Sequence, residues 1–140
     1  MSLMQNSSQL DDLLARDRRY RRESYALVSD ALNYAQYGLG LGHPAQNQHK
    51  DDSGAAVVTT HVTGQDLCFA VKDYALHQFG YMAPVVLKYL GIHQTSDIGA
   101  IVYNLSEIGI FTVADEDRRE DFDDVFDMQQ ELEKGFVLGK

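Results

Sequence analysis

The chain has 140 residues, 44% apolar and 24% charged, which suits one domain over residues 1–140 with a core of its own. Its net charge of −9 opposes phosphate-rich and anionic lipid surfaces and favours cationic partners. No run approaches the ~18 apolar residues of a membrane span, and the opening MSLMQNSSQLDDLLARD lacks the basic start and apolar run of a secretory leader. A cytoplasmic location is therefore expected, and the N-terminus is assigned no function.

The charge is uneven. Residues 1–50 hold six Lys/Arg against five Asp/Glu, whereas residues 51–140 hold six against sixteen. The stretch from Glu107 to Glu133 alone carries eleven acids and two arginines.

In SSQLDDLLAR, Ser8 is a candidate helix cap with Asp11 in the capping-box position, followed by a short apolar stripe. Beyond the arginine run, Tyr25, Val28, Ala31, Leu32 and Ala35 recur at helical spacing, and Gly38 is a plausible stop. Residues 39–56 are rich in Gly, Gln, His and Asp without periodicity, which predicts a flexible loop. VVTTHV at 57–62 is β-branched and reads as a short strand.

Thr63 to Asp66 form a second capping-box pattern, opening a helix whose apolar face is Leu67, Cys68, Val71, Tyr74, Ala75 and Phe79 and which Gly80 closes. A shorter helix from about Met82 to Leu90 carries Pro84 in its first turn and ends at Gly91. TSDIGAIVYNLSEIG then begins a helix at Thr95 or Ser96, with Ile98, Ile101, Val102, Leu105 and Ile108 on one face and Gly109 as its stop. IFTV at 110–113 is expected to be a strand, with VF at 125–126 returning antiparallel across DEDRREDFDDVFD. Asp127 caps a last helix, MQQELEK, stopped by Gly135.

This order predicts a mainly α (α+β), winged-helix-like domain with a small β-hairpin and extra N-terminal helices. The presumptive recognition face, Asp97, Ala100, Tyr103, Asn104 and Glu107, lies in a segment (95–109) with neither Lys nor Arg. Duplex DNA binding draws on Lys and Arg at phosphates and on Arg at guanine, so this face opposes it. The leading expectation is a non-enzymatic protein-interaction module, its partner contact formed by Asp97, Tyr103, Asn104, Glu107, Asp121, Asp123 and Asp124. The winged-helix part of that expectation rests on fold analogy.

ARDRRYRRESY places five arginines in seven residues beside Tyr20 and Tyr25. One reading is an RNA or single-stranded nucleic-acid contact through Arg18, Arg19, Arg21 and Arg22 within the Arg16–Arg22 run. The other is that these arginines pair with the acidic C-terminal region of the same molecule.

DEDRREDFDDVFD fails as a calcium loop. Started at Asp115, it puts Glu120 where the turn needs glycine and Phe126 where a bidentate Glu belongs; started at Asp117, it puts Phe122 and Met128 there. Phe122 and Phe126 read instead as anchors that pin the loop to the core. The five histidines form no HxxxH or HExxH pair, Cys68 falls on an apolar helical face, and no GxSxG is present. GLGLG at 38–42 follows a helix and has the wrong spacing for a phosphate loop. No metal, cofactor or catalytic residue is assigned; an enzyme reading requires a pocket holding His61 or His77 beside a carboxylate.

Four segments carry a resemblance: RDRRYRRESYALVSDALNYA, HVTGQDLCFAVKDYALHQFGYMAPVVLKYLGI, TSDIGAIVYNLSEIGIF and REDFDDVFD. From about Arg16 to Asp127 the chain resembles a planctomycete/verrucomicrobial-restricted family of small uncharacterised bacterial proteins. The matching positions are Asp17, Tyr20 and Tyr25; His61, Gly64, Gln65 and Leu67; Phe79, Gly80, Met82 and Ala83; Gly99, Asn104, Leu105 and Gly109; and Arg119, Glu120, Asp121 and Phe122. The loop 39–60 is longer here, and Met128 stands where an aromatic is commoner. The resemblance implies a common fold and a residue-by-residue requirement for Arg119 to Phe122, and supplies no catalytic residues.

Overall fold

A computed structural model describes residues 7–38, 43–44, 49–50, 56–57, 60–114 and 116–135. The described residues are mainly helical. Helix α1 spans Ser7–Arg16 and α2 spans Arg22–Asn33, ending in a π-helical turn at Tyr34–Gly38. The N-terminus of α2 is closed by Ser24, whose Oγ accepts the Arg21 amide at 3.2 Å and donates to the Leu90 carbonyl at 2.6 Å. One buried hydroxyl thus caps a helix and joins it to another element. The α2 face foreseen from spacing is buried through Tyr25, Leu27, Val28 and Ala31, and Ala35 in the π turn continues it.

Most of the expected loop 39–56 lies outside the described residues. Those that are described form two-residue antiparallel ladders: β1 (His43–Pro44) with β4 (Thr60–His61), and β2 (His49–Lys50) with β3 (Ala56–Val57). Of the strand expected at 57–62, Val57 and Thr60–His61 lie in these ladders, Val62 does not, and residues 58 and 59 lie outside the described residues.

Helix α3, Gly64–Phe79, begins as its capping box dictates, with Thr63 Oγ1 accepting the Asp66 amide at 3.1 Å, and stops at Gly80, whose φ is +55°. A 3-10 turn at Gly80–Met82 leads into α4, Ala83–Tyr89, with Pro84 in its first turn. Helix α5 spans Thr95–Glu107. The five-residue turn before it needs Gly91, at φ +86°, because a Cβ there would stand 2.3 Å from the Arg19 carbonyl oxygen.

The expected wing is not built as a hairpin. Residues 110–114 and 116–127 contain no strand. Ile110 and Phe111 turn inward as part of the core, and Arg119–Phe122 forms a 3-10 turn. A strand at 110–113 needs a partner ladder, and the returning segment is held by side-chain anchors instead. Helix α6, Met128–Gly135, buries Met128 and Leu132 against α3 and α4. The buried residues form one cluster drawing on α1 to α6 and the segment 110–122. Among the described residues, no helix is long and apolar enough to cross a membrane.

Candidate functional site

The outer face of α5 carries the residues expected to meet a partner, and it is largely occupied from within the chain. Asp97 Oδ1 accepts the Tyr20 hydroxyl at 2.7 Å, and its Oδ2 accepts the amides of His93 at 2.9 Å and Gln94 at 3.1 Å. Asn104 Nδ2 donates to Asp17 Oδ2 at 3.0 Å and to the Tyr25 hydroxyl at 3.2 Å. Glu107 meets Arg16 at 3.4 Å, with both side chains more than half exposed, so this pair contributes little. Asp97 and Asn104 therefore hold the segment 17–25 onto α5, which corrects their assignment to an exposed contact. Helical spacing separates a helix's apolar stripe from the rest but does not show that a distant segment covers the rest.

The arginines answer mostly to nearby acids. Arg19 forks onto Asp17, with Nη2 at 2.8 Å and Nε at 3.0 Å, and its guanidinium lies 5.0 Å from the Tyr20 ring centre. The Arg19 fork holds the Asp17 carboxyl well below the usual carboxylate range, with the Arg19 amide and Asn104 adding to it against the opposing effect of burial. Arg22 pairs with Asp11. Arg21 stacks 4.2 Å over the exposed Tyr89 ring. Arg18 is exposed. The pairs of Arg19 and Arg22 go to Asp17 and Asp11, not to the acidic C-terminal region as the self-pairing expectation required, and Arg16 reaches that region at its first carboxylate, Glu107. Tyr20 and Tyr25, expected to stack on bases, are 3% and 2% exposed.

The acidic segment 116–127 forms a shelf anchored to the core. Phe122 is 5% exposed and enters between two glycines: a Cβ on Gly99 would stand 2.8 Å from Phe122 Cβ, and one on Gly64 would stand 3.2 Å from its ring. Thr95, itself buried, donates from Oγ1 to the Phe122 carbonyl at 2.6 Å and accepts the Val125 amide at 3.2 Å. Phe126 packs against Phe69 at 5.1 Å between centroids, with the Lys72 ammonium 5.7 Å from the Phe126 ring. Both aromatics act as the anchors their position suggested. Asp121 is half-buried and accepts the Arg118 amide at 3.0 Å, while Asp123 and Asp124 are exposed. Among the described residues, no ion pair engages Glu116, Glu120, Asp123 or Asp124.

Under this shelf lies a cavity of about 100 Å³, bounded by Gln36, Leu67, Phe111 and Phe122 and reached by Asp117 and Asp121. Tyr103 also lines it, packing edge-on to Phe122 at 6.5 Å, and its buried hydroxyl has no hydrogen-bond partner among the described residues. Burial pushes the Tyr103 hydroxyl's pKa up, and the carboxylates of Asp117, Asp121 and Glu120 push it further, with Arg119 opposing them. Tyr103 was singled out as a surface residue; the cavity beside it and the roles of Gln36 and Asp117 carried no sequence signal.

Among the described residues, no three His, Cys, Asp or Glu side chains converge to hold a metal ion. The side chains of His43, His49 and His61 lie outside the described residues. His77 is exposed beside Tyr34 and does not line this cavity. Cys68 is fully buried, and burial pushes its thiol up to about 12, which disfavours the nucleophilic thiolate. No protein-family model, curated protein or solved structure matches the chain.

Proposed function

We propose that the chain is a non-enzymatic protein-interaction module of one domain, in which α3, α4 and α5 form a winged-helix-like unit and the acidic shelf takes the place of the wing. Its partner is a basic protein segment. One observation carries this reading: the exposed carboxylates Glu116, Glu120, Asp123 and Asp124 have no ion-pair partner among the described residues, while Arg19 and Arg22, two of the arginines that were candidates to neutralise them, pair with Asp17 and Asp11, and Arg21 stacks on Tyr89. Holding like charges on a backbone anchored by Phe122 and Thr95 keeps them together at a standing electrostatic cost, which a cationic partner relieves. The contact set is Glu116, Glu120, Asp121, Asp123 and Asp124; Asp97 and Asn104 leave it because they hold the N-terminal segment.

The test is fluorescence anisotropy with a labelled lysine-rich peptide at low salt. Asp123→Asn with Asp124→Asn should weaken binding roughly three- to tenfold, as expected for a few exposed charges. Asp12→Asn with Glu23→Gln changes net charge equally and should leave it within about twofold. An equal fall in both pairs reduces the effect to net charge and overturns the proposal. A labelled single-stranded RNA forms the second arm; binding there that Arg18→Ala with Arg21→Ala abolishes would transfer the function to the arginine run.

A further inference from the structure

Helix α4 lacks the polar outer face of an ordinary surface helix. On its inner side Ala83 and Leu87 are fully buried. On its outer side, at four-residue steps, Tyr81, Val85 and Tyr89 are 71%, 60% and 65% exposed, and Met82 is 43% exposed. Lys88 is the one charged side chain between Gly80 and Gly91. A helix that is apolar on both sides is normally covered on both.

The charge around this face is opposite in sign to that of the whole chain. From Tyr74 to Ser96 there is no Asp or Glu, although the chain has 21 in 140 residues. Arg21 stands at the Tyr89 end: its guanidinium lies 4.2 Å from the ring centre, and its Nε donates to the Tyr89 carbonyl at 3.4 Å. Among the described residues, no ion pair engages Arg21 or Lys88. Two contacts thus hold the guanidinium in place while its charge stays unpaired, an arrangement ready to take a carboxylate at little further ordering cost.

Size and charge together choose the occupant. The four exposed side chains present on the order of 450 Å², at about 200 Å² for each large side chain in full exposure. Apolar patches of that size on a monomer are often functional. The area falls short of the ~800 Å² per partner of a standard stable interface, so it suits a short segment better than a second globular surface. A second copy set face to face across a two-fold axis would also bring Arg21 and Lys88 against their own duplicates. A nucleic acid or an anionic lipid surface presents many phosphates, and two cations on this face would have to hold them against a net charge of −9.

We propose that the outer face of α4 is a docking site for a short acidic, amphipathic segment of a partner protein. The segment's apolar side chains lie against Met82, Val85 and Tyr89. One of its carboxylates sits on the Arg21 guanidinium, and Lys88 supplies the second cation. This surface shares no residue with the acidic shelf, takes the opposite charge, and does not depend on the shelf's having a partner.

The probe is a fluorescein-labelled peptide of about twelve residues, with leucine at helical spacing and glutamate between. Fluorescence anisotropy at low salt should show saturable binding to the folded chain. Val85→Glu, at an exposed position, should weaken binding by about tenfold or more and leave the thermal midpoint unchanged. Arg21→Gln should weaken it roughly three- to tenfold. Arg119→Gln removes the same charge from the shelf and should leave it within about twofold. A peptide with serine in place of leucine should bind about tenfold more weakly, as should one with glutamine in place of glutamate.

The absence of saturable binding, binding indifferent to Val85→Glu, or an equal fall with Arg21→Gln and Arg119→Gln overturns the proposal. So does concentration-dependent dimerisation in sedimentation that Val85→Glu abolishes, which would give the face to a second copy. Binding of single-stranded RNA or of phosphatidylserine vesicles that Val85→Glu abolishes, with no binding of the peptide, overturns it as well.

Discussion

The Tyr20 hydroxyl donates to the Asp97 carboxylate at 2.7 Å across 77 residues of sequence, tying the arginine-rich turn to the start of α5. The same carboxylate accepts the His93 and Gln94 amides, so one side chain caps α5 and secures the N-terminal segment. Tyr20→Phe should lower stability by about 1.5–3 kcal/mol, the usual worth of a hydrogen bond to a charged group. Asp97→Ala should cost more, since it also strips two amides of their acceptor. In urea denaturation the double variant should be less destabilised than the sum, by about 1 kcal/mol. Additive effects would show that the pair is not coupled.

Acid titration reads the second tie, between Asp17 and Arg19. The folded carboxyl lies below its usual range, so over the acid range the unfolded chain takes up the proton first. Its stabilisation is therefore present at neutral pH and is lost as pH falls below about 5, where the unfolded aspartate begins to protonate. Asp17→Asn should be less stable than wild type at pH 7 and should lose less stability between about pH 5 and pH 3. Parallel stability curves for the two proteins would refute this role.

How much of this could be read from residues alone varied with the distance over which each feature acts. The Thr63–Asp66 cap, the stops at Gly80 and Gly91, and the stripe through Val71 and Ala75 are local, and local rules placed them. Phe122 was legible as an anchor because an aromatic among eight carboxylates has few other reasons to be there. Asp97 and Asn104 were misplaced because their partners, Tyr20, Asp17 and Tyr25, come from segments more than seventy residues away. The strand expected at 110–113 failed for a related reason: Ile110 and Phe111 have strand-forming side chains, but their burial beneath the helices decided their conformation.

Two glycines with similar backbone angles should respond differently to the same change. Gly91 and Gly109 have φ of +86° and +79°, so alanine at either carries a left-handed penalty of about 1–2 kcal/mol. At Gly109 nothing lies within 4 Å of the new Cβ, and that penalty is the whole effect. At Gly91 the Cβ would also strike the Arg19 carbonyl, raising the cost to roughly 3 kcal/mol or more. Thermal denaturation of the two single variants should rank them in that order. The reverse ranking would contradict the close approach of Arg19 to the α4–α5 turn.

Gly64, Gly99 and Phe122 together impose a rule of substitution that none of them imposes singly. The ring occupies space that exists only because two side chains elsewhere stop at Cα. A full-sized ring at 122 is admissible only while 64 and 99 stay bare, and a smaller residue at 122 eases the contact at 64 but not at 99, where the added Cβ meets the Cβ of residue 122 itself. Among diverging descendants of this chain, Gly99 should therefore stay fixed while any side chain stands at 122, and 64 and 122 should change jointly. Their covariation would trace the seat of the acidic shelf even where its carboxylates had drifted.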